Sequence, residues 1–591
     1  MYLANIKLWN FRKYGNINST AIDLSKPDLN LDFNAGINVL IGENDSGKTA
    51  IIDAIRIVLK TQDYEWYRVK SEDFFKNSKR FRIELRFEKL TNNEAKNFIE
   101  WLSFKKIEGK DEKEFFLRLI YDVERTDSRI FASDVCAGSD DKGYPLTAEA
   151  RDFLRVTYLK PLRDAENELA SGRFSRLSSI LFSSAVFKNG EQTTELETKI
   201  KDFNNFVESF FSDTEKEGHK IKEILDEYLA KFIDNNAEAS FKFSTTDVKS
   251  ILAKLDLAIK DVVNPGLGSL NRLYMAAELL NLKRDNWDGV RLGLIEELEA
   301  HLHPQAQLKV IESLIDSCSK NNIQFILTTH SPNLASKMDL ENLILCSNNN
   351  CYPLGVEYTN LDKNDYIFLQ KFLDVTKCNL FFAKGLIFVE GWAEQIILPS
   401  LVEFLKEKKI ISKTLTEAGV SIINVGNTAF LRYAKIFQRK DLSEIGIPIA
   451  IITDSDVAMY DKDSLEPISS KDIETKLKSV IAAKEKEYTY GNTIKAYVAK
   501  DWTLEYALYK SNIFSSNFQS IAEMIHPRSF SNGFEKGLAE KLLHQKLYKT
   551  EIAYELVNSF ASKDFDTFSK EEIENDESIS YLVEAIKFVC I

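Results

Sequence analysis

The chain has 591 residues, of which 44% are hydrophobic, 11% aromatic and 28% charged. This composition excludes a disordered or fibrous chain and supplies enough apolar material for several domains. The 77 basic and 90 acidic side chains give a net charge of -13, whereas proteins that bind nucleic acid non-specifically are usually basic. Any contact with DNA must therefore use local basic surfaces or metal ions.

The cysteine pattern and the amino-terminal segment both bear on the compartment. The six cysteines form no CxxC pair, so we expect them to be reduced. The segment MYLANIKLWNFRKYG places charges among short apolar steps, unlike the apolar stretch of a secretory signal. No apolar run reaches the roughly 18 residues that a membrane-spanning helix needs. These features predict a cytoplasmic protein.

The first part of the chain predicts strands around a glycine-rich loop and a helix. The segment IKLWNFRKY alternates as a strand does, and Gly36 to Gly42 form an apolar run typical of a buried strand. Thr49 to Lys60 repeat their apolar residues at helical spacing. Phe81 to Leu90 and Lys113 to Glu124 are expected to form antiparallel strands. The order strand, loop, helix is the context that a phosphate-binding loop requires.

A helical insertion is predicted for the charge-rich residues near 165 to 260. Within it, Phe203, Phe206 and Phe210 recur at helical spacing in the segment TELETKIKDFNNFVESFF. A stripe of this kind fits either a surface that pairs two protomers or an internal core. The sequence leaves both interpretations open.

The polar stretch SNNNCYPLG, around residue 350, marks the best interdomain boundary. A new unit then begins with GLIFVEGWAEQIILPSLVEFL and continues through SIINVGN and IPIAIITDSD. These apolar strands alternate with helices, which predicts a parallel sheet. The residues from 511 to the end are mostly helical in period.

The segment GENDSGKT fits the phosphate-loop pattern GxxxxGK[ST]. Glycines let backbone N–H groups turn towards phosphate oxygens, and the start of the following helix adds partial positive charge. Lys48 is expected to reach the β- and γ-phosphates of ATP, and the Thr49 hydroxyl to coordinate Mg²⁺. The predicted nucleotide-binding residues of this loop are Gly42, Asn44, Ser46, Gly47, Lys48 and Thr49.

Two carboxylates end the apolar strand predicted for Arg291 to Glu297, within the segment LGLIEELEAHLHP. Glu296 is expected to hold the Mg²⁺ shell, and Glu297 to orient or deprotonate the attacking water. A further strand is predicted for Ile323 to His330, where His330 is placed to sense the γ-phosphate. Together with the phosphate loop, these residues predict an ATPase site.

Acidic residues recur at the predicted strand ends of the carboxy-terminal unit. VEG and the following helical turn supply Glu390 and Glu394, ITDSD supplies Asp454 and Asp456, and WTLEYAL supplies Glu505. Alternation along a strand predicts that Asp454 and Asp456 point to one face. Open parallel sheets bind ligands at their carboxyl edge, and clustered carboxylates repel unless hard cations bridge them. We therefore predict two Mg²⁺ or Mn²⁺ ions here, which would activate water and stabilise the leaving oxygen of a phosphodiester.

The order phosphate loop, long insertion, EELE and strand with a terminal histidine resembles an ABC/SMC-type ATPase head. EAHLHP is similar to the D-loop of that class, and NPGLGSLNRLYMAAELL to its signature segment. The resemblance implies that Ser269 faces the nucleotide of a second head and that the heads pair on ATP. Glu296 stands where Asp is usual and Leu298 where Pro is usual, which bears on the speed of hydrolysis.

VEG and DSD, with a strand bearing Gly426 between them, resemble a Toprim domain. A head followed by Toprim resembles the OLD (overcoming lysogenization defect) family of nucleases, which includes the nuclease subunit of the Gabija anti-phage system. The resemblance implies a catalytic lysine after the acidic set, and Lys549 in KLYKTEIAYELV matches best, ahead of Lys546. It also implies that the helical insertion pairs protomers.

The resemblance gives an α/β fold class: an ABC/SMC-like ATPase head with an inserted helical dimerisation region, then a Toprim domain with carboxy-terminal helices. The expected segments are 1–165 and 261–370 for the head, 166–260 for the insertion, 371–510 for Toprim and 511–591 for the terminal helices.

The predicted function is an ATP-regulated, divalent-metal-dependent DNA endonuclease that nicks or cuts both strands, with one further metal ion bound beside ATP. The family implies defence against phage, as a homo-oligomer (dimer or tetramer), alone or with a helicase or another defence subunit. The alternatives are an SMC-like clamp that does not cleave, a topoisomerase-like strand-passage enzyme and a primase-like polymerase. A cleavage assay separates the predicted endonuclease from the SMC-like clamp, which does not cleave DNA.

Contacts with DNA are expected from basic side chains near the Toprim unit. The residues proposed for this surface are Lys406, Lys408, Lys409, Arg439 and Lys440.

Overall fold

The computed structural model describes residues 1–17, 21–62, 67–106, 113–127, 129–161, 165–172, 175–183, 187, 191–232, 238–241, 247–283, 287–426, 430–531 and 533–590. Contacts divide the chain into two compact units. Unit 1 comprises Met1–Asn38 and Thr49–Thr328, and unit 2 comprises Val39–Lys48 and Thr329–Ile591. The five segments expected from the sequence are finer than this division, and their boundaries stay predictions.

The strands up to residue 328 belong to an antiparallel and a parallel system. In chain order they are β1 (Tyr2–Trp9), β2 (Leu29–Asp32), β3 (Ile37–Ile41), β4 (Arg80–Glu88), β5 (Leu102–Lys106), β6 (Lys113–Arg125), β7 (Ile130–Ala132), β8 (Cys136–Ala137), β9 (Tyr144–Pro145), β10 (Thr157–Leu159), β11 (Leu292–Ile295) and β12 (Gln324–Thr328).

The antiparallel sheet of unit 1 has the order β2-β1-β4-β6-β8-β9, with β5 and β7 also paired to β6. Strands β4 and β6 are the antiparallel pair predicted from the sequence, with Ile83 opposite Tyr121. The apolar residues of β4 alternate with charged ones, and Phe81, Ile83, Leu85 and Phe87 are buried. This period of two explains why the segment forms a strand with one face on the core.

Helices connect and cover these strands. In chain order they are α1 (Lys48–Leu59), α2 (Asn92–Lys96), α3 (Ala148–Asp152), α4 (Ala165–Leu169), α5 (Arg176–Ser183), α6 (Glu191–Ser212), α7 (His219–Phe232), α8 (Val248–Leu252), α9 (Leu267–Leu282) and α10 (Pro304–Asn321). Strands β10, β11 and β12 of unit 1 run parallel, and α10 connects β11 to β12. Helices α4 to α8 fall in the region predicted to be a helical insertion.

Unit 2 contains the strands β13 (Leu343–Ser347), β14 (Asn350–Pro353), β15 (Gly385–Val389), β16 (Val420–Asn424), β17 (Ile449–Thr453) and β18 (Ile494–Val498). The end of β3 pairs parallel with β13, which pairs antiparallel with β14. The other four form a parallel sheet in the order β16-β15-β17-β18, as their continuous apolar runs predicted. Every residue of β15 and β17 is buried.

The helices of unit 2 surround this parallel sheet. They are α11 (Pro332–Ala335), α12 (Lys363–Phe372), α13 (Trp392–Glu407), α14 (Leu415–Ala418), α15 (Phe430–Lys435), α16 (Ser470–Tyr488), α17 (Leu504–Lys510), α18 (Ser515–Ile525), α19 (Phe534–Leu543), α20 (Lys549–Ala561), α21 (Lys570–Glu574) and α22 (Ser580–Val589). Helix α13 packs against α20, and α22 packs against β17 and β18. Their apolar faces share one core cluster with the sheet.

Within the described residues, no helix has both the length and the apolar composition needed to cross a bilayer.

Candidate active site

Four acidic residues come together where the parallel sheet of unit 2 ends. Glu390 follows the last residue of β15, and Asp454 follows the last residue of β17. Glu394 lies in the first turn of α13, and Glu505 in the first turn of α17. Because β15 and β17 are parallel neighbours, their carboxyl ends meet at the same edge of the sheet. The three sequence motifs therefore contribute to one cluster.

Glu394, Asp454 and Glu505 are buried, and burial together with neighbouring carboxylates raises the pKa of Glu394 and of Asp454. Burial, followed by the charge of Glu505, raises the pKa of Glu394 to about 7. Burial and the charges of Glu505, Glu394 and Glu390 hold the pKa of Asp454 well above its usual value. Anionic carboxylates crowded in this way are unfavourable unless positive charge offsets them. The cluster therefore favours a bound cation.

Backbone and hydroxyl groups fix the orientation of the acidic side chains. Glu390 Oε1 accepts hydrogen bonds from the Thr453 hydroxyl and, at 3.2 Å, from the Asp454 N–H. Asp454 Oδ1 accepts a 2.9 Å bond from the N–H of Leu504, which begins α17. A Cβ on Gly391 would lie 3.3 Å from Glu394 Oε2, so glycine leaves room for that carboxylate. These contacts link the ends of two strands and two helices.

Asp456 differs from the other acidic residues. Strand β17 ends at Thr453, so the alternation that predicted a common face for Asp454 and Asp456 does not extend to them. Asp454 is buried, whereas the Asp456 side chain is 62% exposed and its backbone is left-handed, with φ of 56°. The expectation of a shared strand face was therefore wrong.

Lys484 is a site residue that the sequence analysis missed. Its ammonium donates to Asp456 Oδ2 at 3.0 Å and to the backbone oxygen of Asp454 at 2.6 Å. It lies on α16, where it is one of five lysines, and nothing in the sequence distinguishes it from the other four. Only the packing of α16 beside the end of β17 shows its connection with the acidic residues.

Lys549 approaches the cluster from α20. Its ammonium lies 2.9 Å from Glu505 Oε2. Burial alone lowers the pKa of this lysine, but the charges of Glu505 and Asp454 outweigh burial and raise it. The ammonium therefore stays protonated and offsets part of the negative charge. The other lysine considered from the sequence, Lys546, is exposed and has no ion pair within the described part of the chain.

The carboxylates of the acidic cluster are the ligands available for the predicted divalent ions. Among the described residues, no three or more His, Cys, Asp or Glu side chains are already grouped as metal ligands. One oxygen of each of two carboxylates faces a protein group, because Glu505 Oε2 lies beside Lys549 and Glu390 Oε1 accepts from Thr453. The chemistry of the set nevertheless fits Mg²⁺ or Mn²⁺, because all its donors are carboxylate oxygens and two of them are disfavoured as free anions.

The phosphate loop has a positive φ at both of its glycines. Gly42 and Gly47 adopt φ of 132° and 103°, values that favour glycine. A Cβ on Gly42 would lie only 2.3 Å from the backbone oxygen of Cys346. The buried Lys48 ammonium donates to the oxygens of Gly42 at 2.9 Å and Glu43 at 2.6 Å. Ser46 Oγ also accepts from Lys48, whereas Asn44 is exposed.

Glu296 lies close to Thr49 in unit 1. Its carboxylate accepts a 2.8 Å bond from the Tyr158 hydroxyl and a further bond from Thr49. Burial raises the pKa of Glu296, and these two bonds work in the opposite direction. The structure therefore joins the two residues that the sequence assigned to one Mg²⁺ ion.

The remaining head residues lie beyond the ends of their predicted strands or on a helix. Glu297 has a left-handed backbone, with φ of 44°, and its N–H donates to Thr328 Oγ1. His330 is half-buried and lies two residues beyond β12, so it does not end the strand as predicted. Ser269 lies in the first turn of α9, and its hydroxyl accepts a bond from Arg272.

Two family models match the chain. The AAA ATPase domain model matches residues 1–261 and 166–335, which together exceed half of the chain. The model for the Toprim domain of overcoming lysogenization defect-like proteins matches residues 381–456, which contain Glu390, Glu394, Asp454 and Asp456. The chain belongs to the AAA ATPase domain family and contains a Toprim domain of the overcoming lysogenization defect-like type.

The chain is 22% identical over 633 residues to Endonuclease GajA of Bacillus cereus (strain HuB5-5), covering 90% of the chain and 87% of that relative. It is 24% identical over 386 residues to the OLD nuclease of Thermus scotoductus (strain ATCC 700910 / SA-01), covering 61% and 68%. A solved SMC head, bound to the C-winged helix domain of ScpA, is 20% identical, with a TM-score of 0.33, over 58% of this chain and 93% of that one.

Most of the basic side chains predicted to contact DNA near the Toprim unit make hydrogen bonds or ion pairs within the chain. Arg439 is only 4% exposed and donates to the Pro353 oxygen, so its assignment to a DNA-binding surface was wrong. Lys406 pairs with Glu417, and Lys408 and Lys440 donate to backbone oxygens. Lys409 is exposed.

Proposed function

We propose that this protein is an ATP-regulated, divalent-metal-dependent DNA endonuclease whose catalytic site is the acidic cluster of unit 2. The convergence of Glu390, Glu394, Asp454 and Glu505 beside Lys549 carries the proposal. The match to the Toprim model of overcoming lysogenization defect-like proteins and the similarity to proteins named endonuclease and nuclease support it. By the same relationship, we propose that the activity serves defence against phage.

In the catalytic site, Glu390, Glu394, Asp454 and Glu505 would hold Mg²⁺ or Mn²⁺, with Asp456 as the exposed fifth ligand. Bound there, the metal would activate water and stabilise the leaving oxygen of the phosphodiester. Two ions suit a set of five carboxylates. Thr453 and the N–H of Leu504 hold Glu390 and Asp454 in orientation through their hydrogen bonds. The Lys549 ammonium brings positive charge to the place where the phosphodiester develops negative charge.

In the ATPase head, the phosphate loop would receive ATP and a further Mg²⁺. Lys48 would exchange its bonds to the Gly42 and Glu43 oxygens for bonds to phosphate. Thr49 and Glu296 would hold the ion, and Glu297 would orient the attacking water. His330 would contact the γ-phosphate. Ser269 would act on the nucleotide of a second head, so nucleotide binding and pairing of the protein are linked.

The decisive experiment is cleavage of supercoiled plasmid and phage DNA in Mg²⁺, Mn²⁺ or Ca²⁺, with and without ATP. We expect Glu390→Ala and Asp454→Ala to reduce the rate at least about a thousand-fold, because each removes a ligand of the reacting site. Lys48→Ala should change the response to ATP while leaving metal binding at the acidic cluster intact.

Lys478→Ala is a suitable control for this assay, because Lys478 is exposed on α16 and makes no hydrogen bond or ion pair with any described residue. It should cleave like the wild type. Undiminished cleavage by both acidic-cluster variants would falsify the assignment. DNA binding without cleavage under every metal would instead support an SMC-like clamp.

A further inference from the structure

A large cavity with a positively charged wall lies in unit 1, apart from both sites described above. Its volume is about 1130 Å³, and none of the phosphate-loop residues Gly42–Thr49 lines it. The wall is built from the end of α1, the segment before β4, the end of β6 with its following turn, and α3. A cavity of this size is at or above the upper end of the range in which proteins enclose small ligands, about 300 to 1,000 Å³.

The charge of the wall is opposite to that of the whole chain. Among the described residues, six basic and two acidic side chains line the cavity, whereas the chain as a whole has 77 basic and 90 acidic side chains. The basic side chains are Lys60, Arg68, Lys79, Arg125, Arg129 and Arg151. Like charges gathered around one cavity repel each other, so an anion in the cavity would stabilise them.

Three of these cations have no partner within the described part of the chain. Lys60, Arg68 and Lys79 make no side-chain hydrogen bond, ion pair or ring contact there. Each is exposed, so each is accessible to a ligand. Unpaired basic side chains on a concave surface bind phosphate groups without first breaking an internal ion pair.

Two arginines of the wall are already fixed in place. Arg125 donates to the backbone oxygens of Ser71, Lys76 and Ser78 and lies 4.4 Å from the centre of the Phe74 ring. Those partners are uncharged, so the positive charge of Arg125 is not neutralised. Arg151 pairs with Asp134 at 3.3 Å, but its buried Nε has no hydrogen-bond partner. A ligand oxygen would satisfy that donor.

The half-buried Tyr67 adds an aromatic surface for a base, whereas Tyr121 is only 7% exposed. Tyr67 and Tyr121 line the cavity together with the cations. The Tyr67 hydroxyl donates to Asp73 and accepts from Arg12, so its ring is held in position. Guanidinium and ammonium groups recognise phosphate, and aromatic faces stack on bases. The combination matches a nucleotide rather than a simple inorganic anion.

We propose that this cavity is a second binding site for nucleotide phosphates, separate from the phosphate loop. Its ligand is either a free nucleoside triphosphate or a single strand of nucleic acid, which present the same phosphates and bases. Such a site would let an acidic protein bind nucleic acid or sense nucleotide outside its ATPase site.

The test measures binding directly, without divalent metal, so that it does not depend on cleavage. The background variant Lys48→Ala removes the contribution of the phosphate loop. Into it we would introduce Arg68→Glu with Lys79→Glu, and as the matched control Lys471→Glu with Lys476→Glu, two exposed lysines of α16. The probes are a fluorescent N-methylanthraniloyl ATP, a short fluorescein-labelled oligothymidine and a duplex of the same length.

We expect the cavity variant to bind the triphosphate, the oligothymidine or both at least about ten-fold more weakly than the background. The affinity that remains should depend less on salt. The control should stay within about two-fold of the background. The probe that loses affinity identifies the source of the phosphates. If the double glutamate variant has a reduced Tm, Arg68→Gln with Lys79→Gln repeats the test, because it removes the two positive charges without adding negative ones.

Unchanged binding of the triphosphate and the oligothymidine would overturn the proposal. A loss of affinity confined to the duplex would also overturn the proposal. An equal loss in the control variant would overturn it too, because neither result requires a cavity that binds a nucleotide or a single strand.

Discussion

Two lysines approach the acidic cluster from different helices and do different things. Lys549 faces the buried Glu505, whereas Lys484 bonds the exposed Asp456 and the backbone of Asp454. Lys484 also lies 3.5 Å from the Thr453 hydroxyl, which donates to Glu390. It therefore holds the turn that follows β17 while neutralising one carboxylate. This arrangement makes Lys484 a positioning residue in the proposed site.

Replacement of Lys484 should separate metal binding from catalysis. In Lys484→Met the unpaired Asp456 makes the site more negative, so Mn²⁺ should bind about three- to ten-fold more tightly. Cleavage should fall, because the turn is no longer held. Isothermal titration with Mn²⁺ and plasmid cleavage measure the two effects.

Lys484→Arg keeps the charge and should return Mn²⁺ affinity to the wild-type value. Lys486→Met is the matched control, since Lys486 is exposed and two helical positions, about 200°, further round α16. If Lys484→Met bound Mn²⁺ more weakly than the wild type and Lys484→Arg did not restore the affinity, the role of Lys484 would be merely structural.

At the scale of elements, two helices bring their first turns to the carboxyl edge of the parallel sheet. Helix α13 begins after Gly391 and carries Glu394, and α17 begins after Thr503, whose side chain caps it, and carries Glu505. The strand ends supply the other carboxylates. The close approach of these elements gives Glu394 a pKa of about 7, far from its ordinary value.

This pKa predicts a pH dependence in a defined direction. Glu394 is raised from 4.5 to about 7, so the folded protein binds its proton more tightly than the unfolded chain does. Without metal, that contribution to stability is present below about pH 4.5 and is lost as the pH rises through 7. Metal binding requires the carboxylate, so Mn²⁺ affinity should rise between pH 6 and 8, by up to about ten-fold per unit below 7.

Glu394→Gln tests this dependence because it keeps the shape and removes the titration. Its Tm in EDTA at pH 8 should exceed that of the wild type, and its weaker Mn²⁺ binding should change less with pH. Calorimetry and Mn²⁺ titration across the pH range give both values. Equal pH profiles for the two proteins would contradict the assignment to Glu394.

At the scale of the whole molecule, the apolar stripe of α6 bears on pairing. Phe203, Phe206 and Phe210 are 45%, 58% and 37% exposed, so they are not part of an internal core of the described chain. The neighbouring α7 also exposes Ile221, Ile224 and Tyr228. Of the two interpretations that the sequence left open, these exposures favour a surface that pairs two protomers.

Phe203→Ser with Phe206→Ser should weaken self-association by at least about ten-fold, because two aromatic side chains lose their buried area. Light scattering over a concentration series, with and without ATP, measures it. Ile367→Ser with Met524→Ser removes two exposed apolar side chains elsewhere and should leave the association unchanged. A wild-type protein that is monomeric in both conditions would overturn the pairing proposal.

The sequence by itself determined the parts of this protein that depend on neighbours along the chain. The phosphate loop needs a strand before it and a helix after it, and the acidic motifs end apolar strands, so local spacing was sufficient to predict them. The antiparallel pair β4 and β6 followed from alternation in the same way. Topology then brought the acidic strand ends together, since parallel strands end at one edge.

Only the tertiary structure decided which side chains meet across distant segments. Lys484 and Lys549 were two of many lysines until packing placed them beside Asp456 and Glu505. Arg439 was expected at the surface, yet it is buried, and the basic cavity of unit 1 gathers residues from four separate stretches of chain. Long side chains can reach in several directions, so their partners depend on how the elements pack and not on their position in the sequence.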